Sequence, residues 1–126
     1  MKKITSRDNQ YIKQAMSLKS KKYRIREQMF LLEGKTMVRE ALQSGYPLIR
    51  VLVDEAHPAE YQALYEQFSG PEWLMVDSRL FKAIADTETP QGIIAIASIP
   101  TTDLGQLRGQ NASLLLLDQI ADPGNL

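Results

Sequence analysis

The chain alternates short, dense apolar runs with longer stretches whose apolar residues recur every three or four positions. Met29-Phe30-Leu31-Leu32-Glu33 reads as a buried strand, broken by Gly34. Thr36, Val38, Ala41 and Leu42 continue at helical spacing, and Gly45 followed by Pro47 supplies a stop. The β-branched run at 49–53 predicts a second strand. Residues 55–68 predict an amphipathic helix with a core stripe of Tyr61, Leu64, Tyr65 and Phe68, ended by Gly70-Pro71. Residues 73–76 predict a third strand, and Asp77 is placed to cap a helix carrying Leu80, Phe81 and Ile84. Ile93-Ile94-Ala95-Ile96-Ala97 is apolar throughout, the pattern of a central strand covered on both faces. Toward the N-terminus, Ser6 or Asp8 can cap a helix reaching about Leu18, and Ser20 can open a short second helix through Arg26. The pattern is that of an α/β protein, a three-layer α/β/α sandwich on a mixed or parallel sheet.

The end of the chain breaks this rhythm. Leu104 to Leu107 fit a helical turn, Arg108 to Asn111 have linker composition, and Ser113 to Leu117 form a new apolar run. Asp122-Pro123-Gly124-Asn125 then supplies turn chemistry. A parallel strand needs a crossover and a neighbour. The expected organisation is therefore a domain over 1–107, a linker over 108–112, and at 113–126 the first strand and loop of a truncated second domain, a C-terminal overhang.

Charge changes the picture more than composition does. The total is zero, fifteen Lys plus Arg against fifteen Asp plus Glu. Within residues 1–26, however, nine cations face one acid (9 − 1 = +8), leaving 6 − 14 = −8 for the remaining hundred. Such asymmetry fits a polyanion partner on one face, against the plainer reading of a solvated basic tail. Tyr11, Ile12, Ala15, Met16 and Leu18 interleave the charges at near-helical spacing, so the segment should fold. Lys19, Lys21, Lys22, Arg24 and Arg26 crowd its end and are candidate phosphate contacts, while Tyr11 and Tyr23 could stack on bases or simply pack.

Glu33-Gly34-Lys35 sits on a tight strand-to-helix turn, where glycine would let an RNA backbone approach, or would only make the turn. Gln91 and Gly92 stand at the entrance of the last strand, placed either to read a base edge or ribose hydroxyl or to be solvated. His57 is the single histidine and lacks metal-ligand spacing, so no metal is expected. With no cysteine, no apolar run of membrane-spanning length and no signal-peptide pattern, a cytoplasmic protein without disulfides is expected. No Ser/His/Asp set, paired carboxylates or glycine-rich phosphate cradle is supported by spacing; the residues are those of a binder.

Leu115 to Leu126, with Asp122-Pro123-Gly124-Asn125, resembles the opening of the first motif of SpoU-type (TrmH-like) RNA 2′-O-ribose methyltransferases of the SPOUT superfamily. Ile4-Thr5-Ser6, Phe30-Leu31-Leu32-Glu33-Gly34 and Thr89-Pro90-Gln91-Gly92-Ile93-Ile94-Ala95 resemble that family's N-terminal substrate-binding domain, in order and spacing. The resemblance implies a ribosomal-protein-like RNA-binding domain acting on rRNA or tRNA, and an intact enzyme that uses S-adenosylmethionine. It favours an RNA-gripping role for the turn at Gly34, and it makes Asn125 the one catalytic-motif position present, a residue that helps order the active site. The motif's arginine and the cofactor knot have no counterpart here, so these residues alone are expected to be inactive and to hold no cofactor. Lys35-Thr36 stands where arginine-leucine is more usual, and the proline often found after Asn9 is absent. A homodimer, including one made through the C-terminal tail, is open. The alternative is a stand-alone RNA-binding module of ribosomal type without catalysis.

Overall fold

The computed structural model describes residues 1–88 and 90–99. The linker, the strand and loop expected at 113–126, and Asn125 lie outside the described residues. The elements in order are β1 (Lys2–Ile4), α1 (Gln10–Ser17), α2 (Lys21–Glu27), β2 (Met29–Glu33), α3 (Lys35–Ser44), β3 (Leu48–Asp54), α4 (Gln62–Gln67), β4 (Glu72–Val76), α5 (Ser78–Ile84) and β5 (Ile93–Ser98).

The five strands form one mixed sheet in the order β1-β4-β3-β5-β2. β1 and β3 run parallel to β4, whereas β5 is antiparallel to both β3 and β2. Four strands therefore point one way and β5 alone runs against them. The C-terminal ends of β1 to β4 and the start of β5 gather along one rim of the sheet, the rim where open α/β sheets place their ligands.

Alternation within the strands divides the core in two. Val51, Val53, Ile93, Ala95 and Ala97 face a cluster completed by Val38, Ala41 and Leu42 of α3, with Tyr61 and Trp73. Leu52, Ile94 and Ile96 face the other cluster, with Ile12 and Ala15 of α1 and Leu80, Phe81 and Ile84 of α5. Helices thus cover both faces, which is why β5 is apolar at every position from Ile93 to Ala97.

Two local expectations are corrected, and one strand is added. The cap of α1 is Asn9, whose side chain accepts the Tyr11 N–H at 2.8 Å, rather than Ser6 or Asp8. Ser6 accepts instead from the N–H of Asp8, shaping the turn before it. The helix expected over 55–68 is shortened to Gln62–Gln67. Pro58 disfavours helical backbone at His57, and the Asp54 side chain takes the Ala56 N–H at 2.9 Å, spending the preceding residues in turns. Tyr61 is nonetheless fully buried, and Leu64, Tyr65 and Phe68 pack on the same cluster, as their spacing predicts. β1 is an addition to the expected strands: it has three residues and one buried side chain, and is held by pairing with β4. Elsewhere Asp77 caps α5 through the Arg79 N–H, and Gly45 closes α3 at φ 76°.

Candidate nucleic-acid interface

Two groups of residues singled out above meet at the rim. β2 ends in Glu33, and Gly34 turns the chain into α3 at φ 109°, a conformation that favours glycine. Its N–H donates to the Ile93 carbonyl at 3.1 Å, so the turn is stitched to the entrance of β5. From that entrance Gln91 reaches back, its Oε1 accepting the Lys35 N–H at 2.8 Å, one of the donors left open at the start of α3. Tyr61 donates its hydroxyl to the Gln91 carbonyl from below. Gly92 follows at φ 91°, with its Cα against the His57 ring and its carbonyl on the Asp54 N–H at 2.9 Å. Glu33, Gly34, Lys35, Gln91 and Gly92 form one platform.

Glu33 faces inward to this assembly. Its carboxylate accepts the Asp86 N–H at 3.0 Å, the Thr87 N–H at 3.4 Å and the Thr87 hydroxyl at 2.7 Å. Its acceptors hold the loop after α5. Lys35 is exposed, with its ammonium 3.5 Å from Glu60, whose other oxygen lies 3.6 Å from His57 Nδ1. Glu60, Tyr61, Asp86 and Thr87 carry no local signal of this role, because each acts across a gap in sequence that only the topology closes.

The basic segment divides by task. The Arg24 guanidinium donates to the carbonyls of Leu18 and Lys19, both at 3.0 Å, and so locks the elbow between α1 and α2. Lys19 donates to the Ala83 carbonyl at 2.8 Å and lies 3.7 Å from Asp86, the residue whose N–H Glu33 holds. The elbow and the platform are therefore joined through residues 83–86. Arg26 pairs with Glu27 at 3.1 Å and lies 4.6 Å from the Tyr23 ring centroid. Lys21 and Lys22 are exposed at the start of α2 and form no ion pair among the described residues. Tyr11 is half-buried, with Arg50 4.3 Å over its ring, so packing claims it.

No group of three or more His, Cys, Asp or Glu suited to a metal ion occurs among the described residues, and no helix there is long and apolar enough to cross a membrane.

Residues 9–95 match the MRM3-like substrate-binding domain family. The chain is 37% identical over its whole length to the 23S rRNA (guanosine(2553)-2′-O)-methyltransferase RlmP of Bacillus subtilis, and covers 48% of that protein. A crystal structure of an RNA 2′-O ribose methyltransferase superposes with a TM-score of 0.69 at 33% identity, over 81% of this chain and 39% of that one. The AdoMet-bound rRNA methyltransferase of Sinorhizobium meliloti shares the fold, with a TM-score of 0.65 at 24% identity over 83% of this chain and 39% of that one. The chain thus spans less than half the length of each of these relatives. The match runs from the cap of α1 through the elbow and both glycine turns into β5, and by it the chain belongs to the MRM3-like substrate-binding domain family of the SpoU/TrmH-type methyltransferases.

Proposed function

We propose that this chain is the RNA-recognition part of an S-adenosylmethionine-dependent rRNA 2′-O-ribose methyltransferase. The observation that carries the reading is the whole-length similarity to a 23S rRNA 2′-O-methyltransferase, of which the chain covers 48%. The geometry supports it: exposed Lys21 and Lys22 beside a braced elbow suit phosphates, and Lys35 and Gln91 offer an ammonium and an amide on one rim, on turns that Gly34 and Gly92 shape. Glu33, Arg24 and Lys19 brace that surface by the bonds described above, and Arg26, paired with Glu27, follows Lys22 by one turn of α2.

When bound, S-adenosylmethionine supplies an electrophilic methyl group on a sulfonium. On the platform the Lys35 ammonium is paired with Glu60 and the Gln91 oxygen is taken by the Lys35 N–H, so these residues do not form a site for that donor, and the reading assigns the cofactor to the remainder of an intact enzyme. The same reading takes 1–107 as a three-layer RNA-binding sandwich and 113–126, with Asn125, as the overhang that begins the catalytic domain, and it has these residues alone inactive.

The test is a salt titration of binding to a stem-loop rRNA fragment, comparing the wild type with Lys21→Gln/Lys22→Gln. Each phosphate that the protein no longer neutralises flattens the dependence of log K on log salt by about 0.7–0.9, so the double variant should bind more weakly with a slope shallower by about 1.5. An unchanged slope would reject the elbow as an RNA surface. Arg24 is left intact because its removal would unlock the elbow itself.

A further inference from the structure

Between α1 and α5, on the sheet face opposite α3, lies an open cleft of about 360 Å³. Ile12, Met16, Leu80 and Ala83 make its apolar lining, and Arg7 and Lys13 stand at its rim with Asp8. Met16 is 39% exposed, and it and Ile25 of α2, at 58%, are the exposed large apolar side chains among the described residues. Both fall inside the segment that carries the excess of eight positive charges. Arg7 and Lys13 form no ion pair among the described residues.

We propose that this cleft is a subsite for one unpaired nucleotide of an RNA strand, with its base on the apolar lining and its flanking phosphates on Arg7 and Lys13. A cationic rim around an apolar floor matches the two chemistries of a nucleotide, whose base has an apolar face and whose backbone is anionic. The volume is at the low end of small-ligand sites and enough for one flat ring system. A paired base keeps its face stacked in the duplex, so the occupant is a nucleotide of a loop or bulge. The site rests on the RNA-binding reading above and specifies its substrate: the domain selects unpaired RNA over duplex.

The test compares a hairpin RNA bearing an unpaired adenosine loop with a blunt duplex of matching length, using the full chain. Ala83→Phe fills the cleft without altering charge; Met16→Gln makes its exposed lining polar at a position that tolerates the change for folding. Both variants should weaken hairpin binding, Ala83→Phe by roughly tenfold, the worth of about 60 Å² of apolar base face kept from water. Duplex binding and its salt slope should stay as in the wild type, whereas the hairpin's slope should flatten to the extent that Arg7 and Lys13 lose their phosphates. Equal weakening on both RNAs, or none with either variant, would overturn the subsite while leaving the Lys21/Lys22 result to decide RNA binding separately. Unchanged RNA binding with altered sedimentation of the protein alone would give the cleft to a second copy of this chain and overturn the proposal as well.

Discussion

The side-chain oxygen of Gln91 accepts the backbone N–H of Lys35 at 2.8 Å, joining residues 56 apart in sequence and seating the end of one loop on the first turn of α3. Gln91→Ala removes this acceptor and loosens the loop on the Gly34 turn, which keeps its bond to the Ile93 carbonyl. Because the bond is exposed, the drop in stability should be modest, roughly 0.5–1.5 kcal/mol by urea denaturation. Faster amide exchange at Lys35 than in the wild type would locate the effect, and unchanged exchange would rule the bond out as a brace.

Gly92 carries two constraints at once. Its φ of 91° disfavours any side chain, and a Cβ there would lie 2.8 Å from His57 Cδ2 and 3.1 Å from Cγ. Gly92→Ala should cost about 1–2 kcal/mol from the backbone alone, plus the cost of displacing the ring. His57→Ala in the same chain should recover the second part and leave the first. Additive effects in the double-mutant cycle would show that the ring swings away freely.

Arg24 and its neighbours should separate stability from binding. Arg24→Ala strips two carbonyl partners at the elbow and should lower stability by about 1 kcal/mol or more, whereas Lys21→Ala and Lys22→Ala should change it by less than about 0.5 kcal/mol. Thermal melts of the three variants check the contrast.

Burial raises the Tyr46 hydroxyl to a pKa of about 12, and burial with the nearby Glu60 carboxylate does the same for Tyr61. The unfolded chain gives up these protons near pH 10 while the fold keeps them to about 12, so the contribution is whole below pH 10 and is lost as pH rises through 12. Urea midpoints should fall steadily above about pH 10, and Tyr61→Phe should make that fall shallower.

Much of the fold is written locally. The run at Met29 to Glu33 with Gly34 after it, the αL stop at Gly45, the Asp77 cap and the doubly covered β5 each follow from nearest neighbours. What is not local is harder to read. β1 exists because β4 offers it an edge, and its own residues say little. The periodicity of Tyr61, Leu64, Tyr65 and Phe68 correctly marks a buried stripe, yet it overstates the helix, because the Asp54 side chain and Pro58 claim the preceding residues. At the rim, the glycines and Gln91 are visible as turn chemistry, and the resemblance to the methyltransferase family agrees with the family found. The inward task of Glu33, the brace made by Arg24 and the pairing of Lys35 with Glu60 depend on segments brought together only by the sheet.

The position of β5 sets an order of events during synthesis on the ribosome. β2 lies at the sheet edge and touches no strand except β5, whose first residue follows the end of β2 by sixty positions (93 − 33). At common elongation rates that interval is roughly 3–12 s. Through it the nascent β2 stays unpaired, and the last insertion, β5 sliding between β3 and β2, completes the sheet and both glycine turns together. The rim platform is thus born late and all at once.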